Sequence, residues 1–118
     1  MSDSEPRLDY ENLDVYQRAI EFLRLALRVT SELPRGESEL RSQLKRAAMS
    51  IPLNIAEASG KPTNADRARY DAIARGSAME CGALFDVCAL AGYVTTADGR
   101  NGKQLIVRIV AMLSKMCR

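Results

Sequence analysis

Residues 43–60, QLKRAAMSIPLNIAEASG, constrain the fold of this chain more than any other stretch. Leu40, Leu44, Ala47, Ile51, Ile55 and Ala58 recur in steps of three and four, the spacing that lines one face of an α-helix. Arg46, Ser50, Asn54 and Glu57 recur in steps of four, four and three and make a polar stripe beside it. Pro52 stands between them, cannot donate to the carbonyl of Ala48, and is expected to bend the helix there. A helix that only fills a core seldom carries both features. The rest of the chain is therefore read as what this helix packs against.

Residues 1–12 are polar, contain Pro6 and show no periodicity, so they read as a flexible acidic tail, with residues 13–118 as the folded domain. Leu8, Tyr10 and Leu13 are the side chains available to dock the tail's end. A first helix is expected from Asp14, with Asp14 as its cap and Gln17 completing a capping box, to about Leu33. Val15, Ala19, Phe22, Ala26, Val29 and Leu33 form its seam, and Ile20, Leu23 and Leu27 a second apolar row. Two rows suit burial on two sides, inside a bundle or against another subunit. Leu33-Pro34-Arg35-Gly36 stops this helix, and Ser38 or the residue before it caps the next, which ends at Ser59-Gly60 with Gly60 left-handed.

Thr63-x-x-Asp66 caps a third helix whose inner face holds Tyr70, Ile73, Ala74, Cys81, Leu84, Phe85, Cys88 and Ala91. Gly76, Ser77 and Gly82 inside it imply close approach by a neighbour, since helical glycine costs about 1 kcal/mol against alanine. Tyr93 to Gly102 reads as a loop or frayed start, and a fourth helix spans about Lys103 to Met116. Four helices, short connections and no strand signal define an all-α, antiparallel up-down four-helix bundle.

Composition sets limits on function. With 118 residues the chain makes one domain, and aromatics are only 5%, so the core rests on aliphatic side chains, as helices favour. No apolar run approaches the ~18 residues that span a bilayer. The acidic N-terminus lacks the apolar segment of a signal peptide, and the expected location is the cytoplasm. There is no histidine, which removes the usual general base and zinc ligand. Cys81, Cys88 and Cys117 read as small buried hydrophobes. Glu57, Glu80 and Asp86 lack the histidines of a di-iron bundle, and Gly99-Arg-Asn-Gly102 lacks the Lys and Ser/Thr of a phosphate loop. The expectation is a protein without catalytic residues, metal or cofactor.

Arg46, Ser50, Asn54 and Glu57 admit three readings, a ligand site, a network that fixes helix register, or ordinary surface exposure; Ser77 and Glu80 on the third helix favour the network. On that reading Arg46 pairs with Glu80 and Asn54 bonds to Ser77, because an interior charge must be paired. Net charge is +2 overall, but five acids against Arg7 give residues 1–14 a balance of −4 and leave +6 on the remainder. The candidate nucleic-acid contacts are Arg18, Arg24 and Arg28, then Arg41 and Lys45, then Arg100, Lys103, Arg108 and Lys115. Without interleaved aromatics such binding would be to the backbone and sensitive to salt.

The segments LDVYQRAIEF, QLKRAAMSIPLNIAEASGK and YDAIARGSAMECGAL resemble the four-helix-bundle family related to proteins encoded within intervening sequences of bacterial 23S ribosomal RNA. That family includes the accessory variability protein of diversity-generating retroelements. The resemblance covers residues 12–118 and is most specific at Gln43-Leu44-x-Arg46-Ala47-Ala48, Ser50-Ile51-Pro52-x-Asn54-Ile55-Ala56-Glu57 and Ala74-x-Gly76-Ser77-x-x-Glu80. It implies a homopentameric, barrel-like ring with a central channel, binding of RNA or DNA, and contact with a reverse transcriptase or another protein. A protein-interaction scaffold with no nucleic-acid role is the alternative. For most members of the family the biochemical role is unknown.

Overall fold

A computed structural model describes residues 5–118 and contains four helices: α1 (Asp14–Ser31), α2 (Ser38–Ser59), α3 (Asn64–Leu90) and α4 (Thr96–Met116). Each helix packs against its neighbours in sequence, and α1 closes the bundle against α4. Among the described residues the backbones of the diagonal pairs, α1 with α3 and α2 with α4, stay apart. The chain is thus a four-helix bundle with short connections. At about 1.5 Å of rise per residue the 27 residues of α3 account for most of the longest dimension, 43 Å.

The seam expected on α1 is the one that is buried: Val15, Ala19, Phe22, Ala26, Val29 and Leu33 all face the core. They meet Leu44, Ala48, Ile51 and Ile55 of α2, Ala78, Cys81, Phe85 and Cys88 of α3, and Ile106, Ile109 and Leu113 of α4. Phe22 and Phe85 meet across the diagonal with ring centroids 5.1 Å apart and fill the centre that aliphatic side chains alone would leave open. Pro52 lies inside α2 and is itself buried.

Helix ends depart from the sequence reading in four places. At α1 the cap position is Leu13, with no side-chain bond, and Asp14 is the first helical residue. Gln17 Nε2 instead donates to the Glu11 carbonyl at 3.0 Å, so the expected capping box does not form. That carbonyl belongs to a single 3-10 turn, Asp9–Asn12, within the segment expected to be a flexible tail. Glu11 closes the turn by accepting from the Leu8 amide at 2.6 Å, and Tyr10 stacks edge-on against Tyr16. Residues 1–4 of that tail lie outside the described residues.

Gly60 was expected to be left-handed, but its φ is −88°. The left-handed glycines are Gly36, at φ 99°, and Gly92, at φ 78°. Gly92 ends α3 in a Schellman arrangement: the Tyr93 amide donates to Cys88 at 2.8 Å and the Gly92 amide to Ala89 at 3.1 Å.

The fourth departure is the largest. Residues 96–102 are helical, not a loop. Thr95 Oγ1 accepts from the Asp98 amide at 3.0 Å, the same cap that Thr63 makes with Asp66 at 3.1 Å. Gly102 then lies against the Phe85 ring so closely that no Cβ would fit, and this packing outweighs the glycine's low helical propensity. On α3 the tight approach expected at Gly76 is absent: Gly76 is exposed, and a Cβ there would meet nothing within 4 Å. Ile73 and Ala91, expected inside, are exposed, and Tyr70 is half-buried.

Candidate nucleic-acid interface

The polar stripe of α2 divides into a seam and an outer face. At the α2–α3 seam the Ser50 and Ser77 hydroxyls meet at 2.7 Å. Asn54 Nδ2 donates to Ser50 Oγ at 2.9 Å and to the Ser50 carbonyl at 2.8 Å. Asn54 therefore reaches Ser77 only through Ser50, a correction to the direct bond expected. Small hydroxyl side chains let the two helices approach, and the longer charged ones leave the seam for solvent. Arg46, Glu57 and Glu80 are exposed. The expected Arg46–Glu80 pair does not form; among the described residues neither makes an ion pair, and Glu57 pairs instead with Lys61 at 3.1 Å. The hydrogen-bonded network at the seam is Ser50, Asn54 and Ser77.

The candidate cations fall into three groups. Arg41 is structural: Nε donates to the Thr30 carbonyl and Nη2 to the Leu33 carbonyl, both at 3.1 Å, which satisfies the C-terminal carbonyls after α1. Four others are neutralised by acids. Arg28 makes two 2.9 Å bonds to Asp98, and these hold the Asp98 carboxyl below its usual range while raising the Arg28 guanidinium. Arg108 donates to Asp14 at 3.0 Å, Arg18 lies 3.6 Å from Asp14 and 3.3 Å from Glu21, and Lys103 donates to Asp86 at 2.6 Å. Such exposed pairs contribute little to stability but reduce the field a polyanion would meet.

Arg24, Lys45, Arg100 and Lys115 are exposed and form no ion pair among the described residues. They do not make one patch. Lys45 stands beside Arg46 on the outer face of α2, and Arg100 beside Lys103 on α4. Arg28 and Arg108 share the α1–α4 groove with Glu21 and Asp98, where charge is balanced. A further basic group, not singled out from the sequence, lies at the α2–α3 turn, where Lys61 and Arg69 stand 4.9 and 4.8 Å from the Tyr70 ring centre. Its signal was the density of Lys61, Arg67 and Arg69 around one aromatic residue.

Two groups bear on chemistry. Burial pushes the Cys81 thiol up to about 12 and raises Cys88 as well, so neither offers a thiolate near neutral pH. Among the described residues no three His, Cys, Asp or Glu side chains gather as a metal set. Asp71, which sequence reasoning passed over, is only 4% exposed, and its Oδ1 has no hydrogen-bond partner among the described residues. Burial raises its carboxyl above the usual range. A raised folded-state value means the side chain opposes folding as pH rises from the unfolded-chain value through the folded one. Asp71→Asn is therefore expected to raise the melting temperature at pH 7, with the gain vanishing near pH 3, below the unfolded value, in a series of thermal melts.

The fold is that of an antiparallel helical bundle whose exposed cations are spread over several helices. Within that class the chain belongs to the 23S rRNA-intervening sequence protein family, whose family model matches residues 11–115. Among solved structures it is similar to a protein of unknown function from the S23 ribosomal protein family of Bacteroides thetaiotaomicron. The TM-score is 0.80 at 22% identity, over 88% of this chain and 98% of that one. This likeness carries the fold alone. No curated protein matches the chain. Among the described residues no helix is long and apolar enough to cross a membrane.

Proposed function

We propose that the protein is a non-enzymatic, homo-oligomeric bundle, a pentameric ring in the cytoplasm, that binds RNA or DNA weakly through backbone phosphates. The observation that carries this reading is the set of exposed cations that form no ion pair among the described residues: Lys45 with Arg46 on α2, Arg100 on α4, and Arg24 and Lys115. One copy presents a modest field, and a ring multiplies it.

Two unlike apolar surfaces support assembly. On α2, Met49 and Leu53 are exposed side by side, Leu53 at 62%. Between α3 and α4 a groove of about 490 Å³ is lined by Met79, Ala83, Val107 and Ala111. A contact between unlike surfaces is head-to-tail, and when its rotation closes it makes a ring.

The test is titration with labelled RNA and DNA across a salt series. Binding should weaken steeply with salt, and Lys45→Ala/Arg46→Ala should reduce the log–log slope by about 1–2. Binding absent at low salt, or indifferent to it, would refute the proposal. Light scattering should give a mass several times 13.0 kDa, with Leu53→Glu shifting it toward the monomer.

The same apolar surfaces favour a second reading, a scaffold that presents the ring to a partner protein such as a reverse transcriptase. A stoichiometric protein partner that survives nuclease treatment would select it.

A further inference from the structure

At the end of the bundle where α2 turns into α3, a pocket of about 240 Å³ opens between the start of α1 and the end of α4. Its walls are mostly apolar: Leu13, Ile55, Ala58 and Met116. Its polar lining residues are Ser59, Arg67 and the buried Asp71. The volume far exceeds the ~10–15 Å³ that one water needs.

Arg67 precedes Asp71 by a helical turn on α3 yet does not neutralise it. Its Nε donates to the Lys61 carbonyl at 2.8 Å and its Nη1 to Asn64 at 3.3 Å, which holds the guanidinium at the α2–α3 turn. Asp71 is thus an acid nine-tenths buried, with one oxygen unpartnered and no cationic side chain paired to it among the described residues. Buried charges in folded proteins are paired. A water would supply a hydrogen bond but no counter-charge.

We propose that this pocket binds a primary ammonium group on a short aliphatic stem, with Asp71 as counter-ion. The head group suits the site because it is compact and carries three donors, enough to reach both Asp71 and the Ser59 hydroxyl. The stem lies against Leu13, Ile55 and Met116, which would offer a doubly charged metal ion nothing. Two sources carry this chemistry, a free aliphatic amine and a lysine side chain of another polypeptide.

The experiment is isothermal titration of the full-length protein with n-butylammonium chloride, with tetramethylammonium chloride as a cation that has no N–H donor. The expected result is saturable, millimolar binding of n-butylammonium, weakened about tenfold or more by Asp71→Asn. Circular dichroism should show that Asp71→Asn keeps its helices. Titration with Nα-acetyl-lysine methylamide distinguishes the sources. Binding comparable to n-butylammonium assigns the pocket to a delivered lysine, and markedly weaker binding assigns it to a free amine. No saturable binding of n-butylammonium, equal binding by Asp71→Asn, or equal binding of tetramethylammonium would overturn the proposal.

Discussion

Phe22→Ala is expected to destabilise the bundle by about 3–5 kcal/mol, read from denaturant unfolding followed by circular dichroism. Phe22 is fully buried, and its ring meets Phe85 where the diagonal helices are too far apart for their backbones to touch. The surrounding side chains, among them Ala19, Ala26, Ala48 and Ala78, are too small to collapse into the space an alanine would leave. The only other phenylalanine, Phe85, already occupies the centre, and the chain has no tryptophan. The loss therefore includes both the transfer free energy of the ring and the cavity it leaves behind. A loss below about 1 kcal/mol would mean that the helices close over the gap.

The second large effect runs against helix propensity. Alanine is the better helix former by about 1 kcal/mol, so Gly102→Ala in the interior of α4 would on that ground alone stabilise the protein. The expectation here is destabilisation by about 1–3 kcal/mol, because the added methyl overlaps the edge of the Phe85 ring and α4 or the ring must move. Gly76→Ala is the control. It adds the same methyl where nothing lies within 4 Å and should stabilise by about 0.5–1 kcal/mol. Phe85→Leu combined with Gly102→Ala should lose less than the sum of the two single changes, since the first relieves the overlap the second creates. Additive losses would refute the contact as the cause.

The two glycines show what could be read from the sequence and what could not. Apolar spacing was legible because it depends only on helical period, so the seam of α1 and the inner row of α2 were found by counting. Which glycine admits a neighbour depends on how two helices meet, and that is not local. Gly76 and Gly102 look alike in sequence, yet one faces solvent and the other faces Phe85. The start of α4 was legible in principle. Thr95-x-x-Asp98 repeats the spacing of Thr63-x-x-Asp66, and the glycines that follow concealed the first pattern while the second was recognised.

The candidate site was less legible still. Whether a cation is available to a polyanion depends on acids brought from distant positions: Asp98 to Arg28, Asp14 to Arg108, Asp86 to Lys103. Arg41 gave no sign that it would be spent on main-chain carbonyls. The polar stripe of α2 suggested a charged lock, whereas the helix interface selected its hydroxyls and amide and turned Arg46 and Glu57 outward. Asp71 carried no signal, since an acid early in a helix is ordinary and only the fold buries it.

The connections between helices are unequally fastened, and the α2–α3 turn is the looser one. At one end Arg41 ties α2 to the end of α1, Tyr93 donates to Glu37 between the α1–α2 and α3–α4 connections, and Arg28 grips Asp98. At the other end Arg108 holds α4 to Asp14 of α1 and Arg75 donates to Ser114 of α4 at 2.8 Å, but among the described residues no side-chain bond ties the α2–α3 turn to α1 or α4, and the Asp71 pocket lies there. Opening should therefore begin there and spread along the helices toward the fastened end. Amide hydrogen exchange would then be graded within each helix, fastest near Ser59, Arg67 and Met116. A molecule lodged in the pocket would act as the missing fastener, slowing exchange across three helices at once.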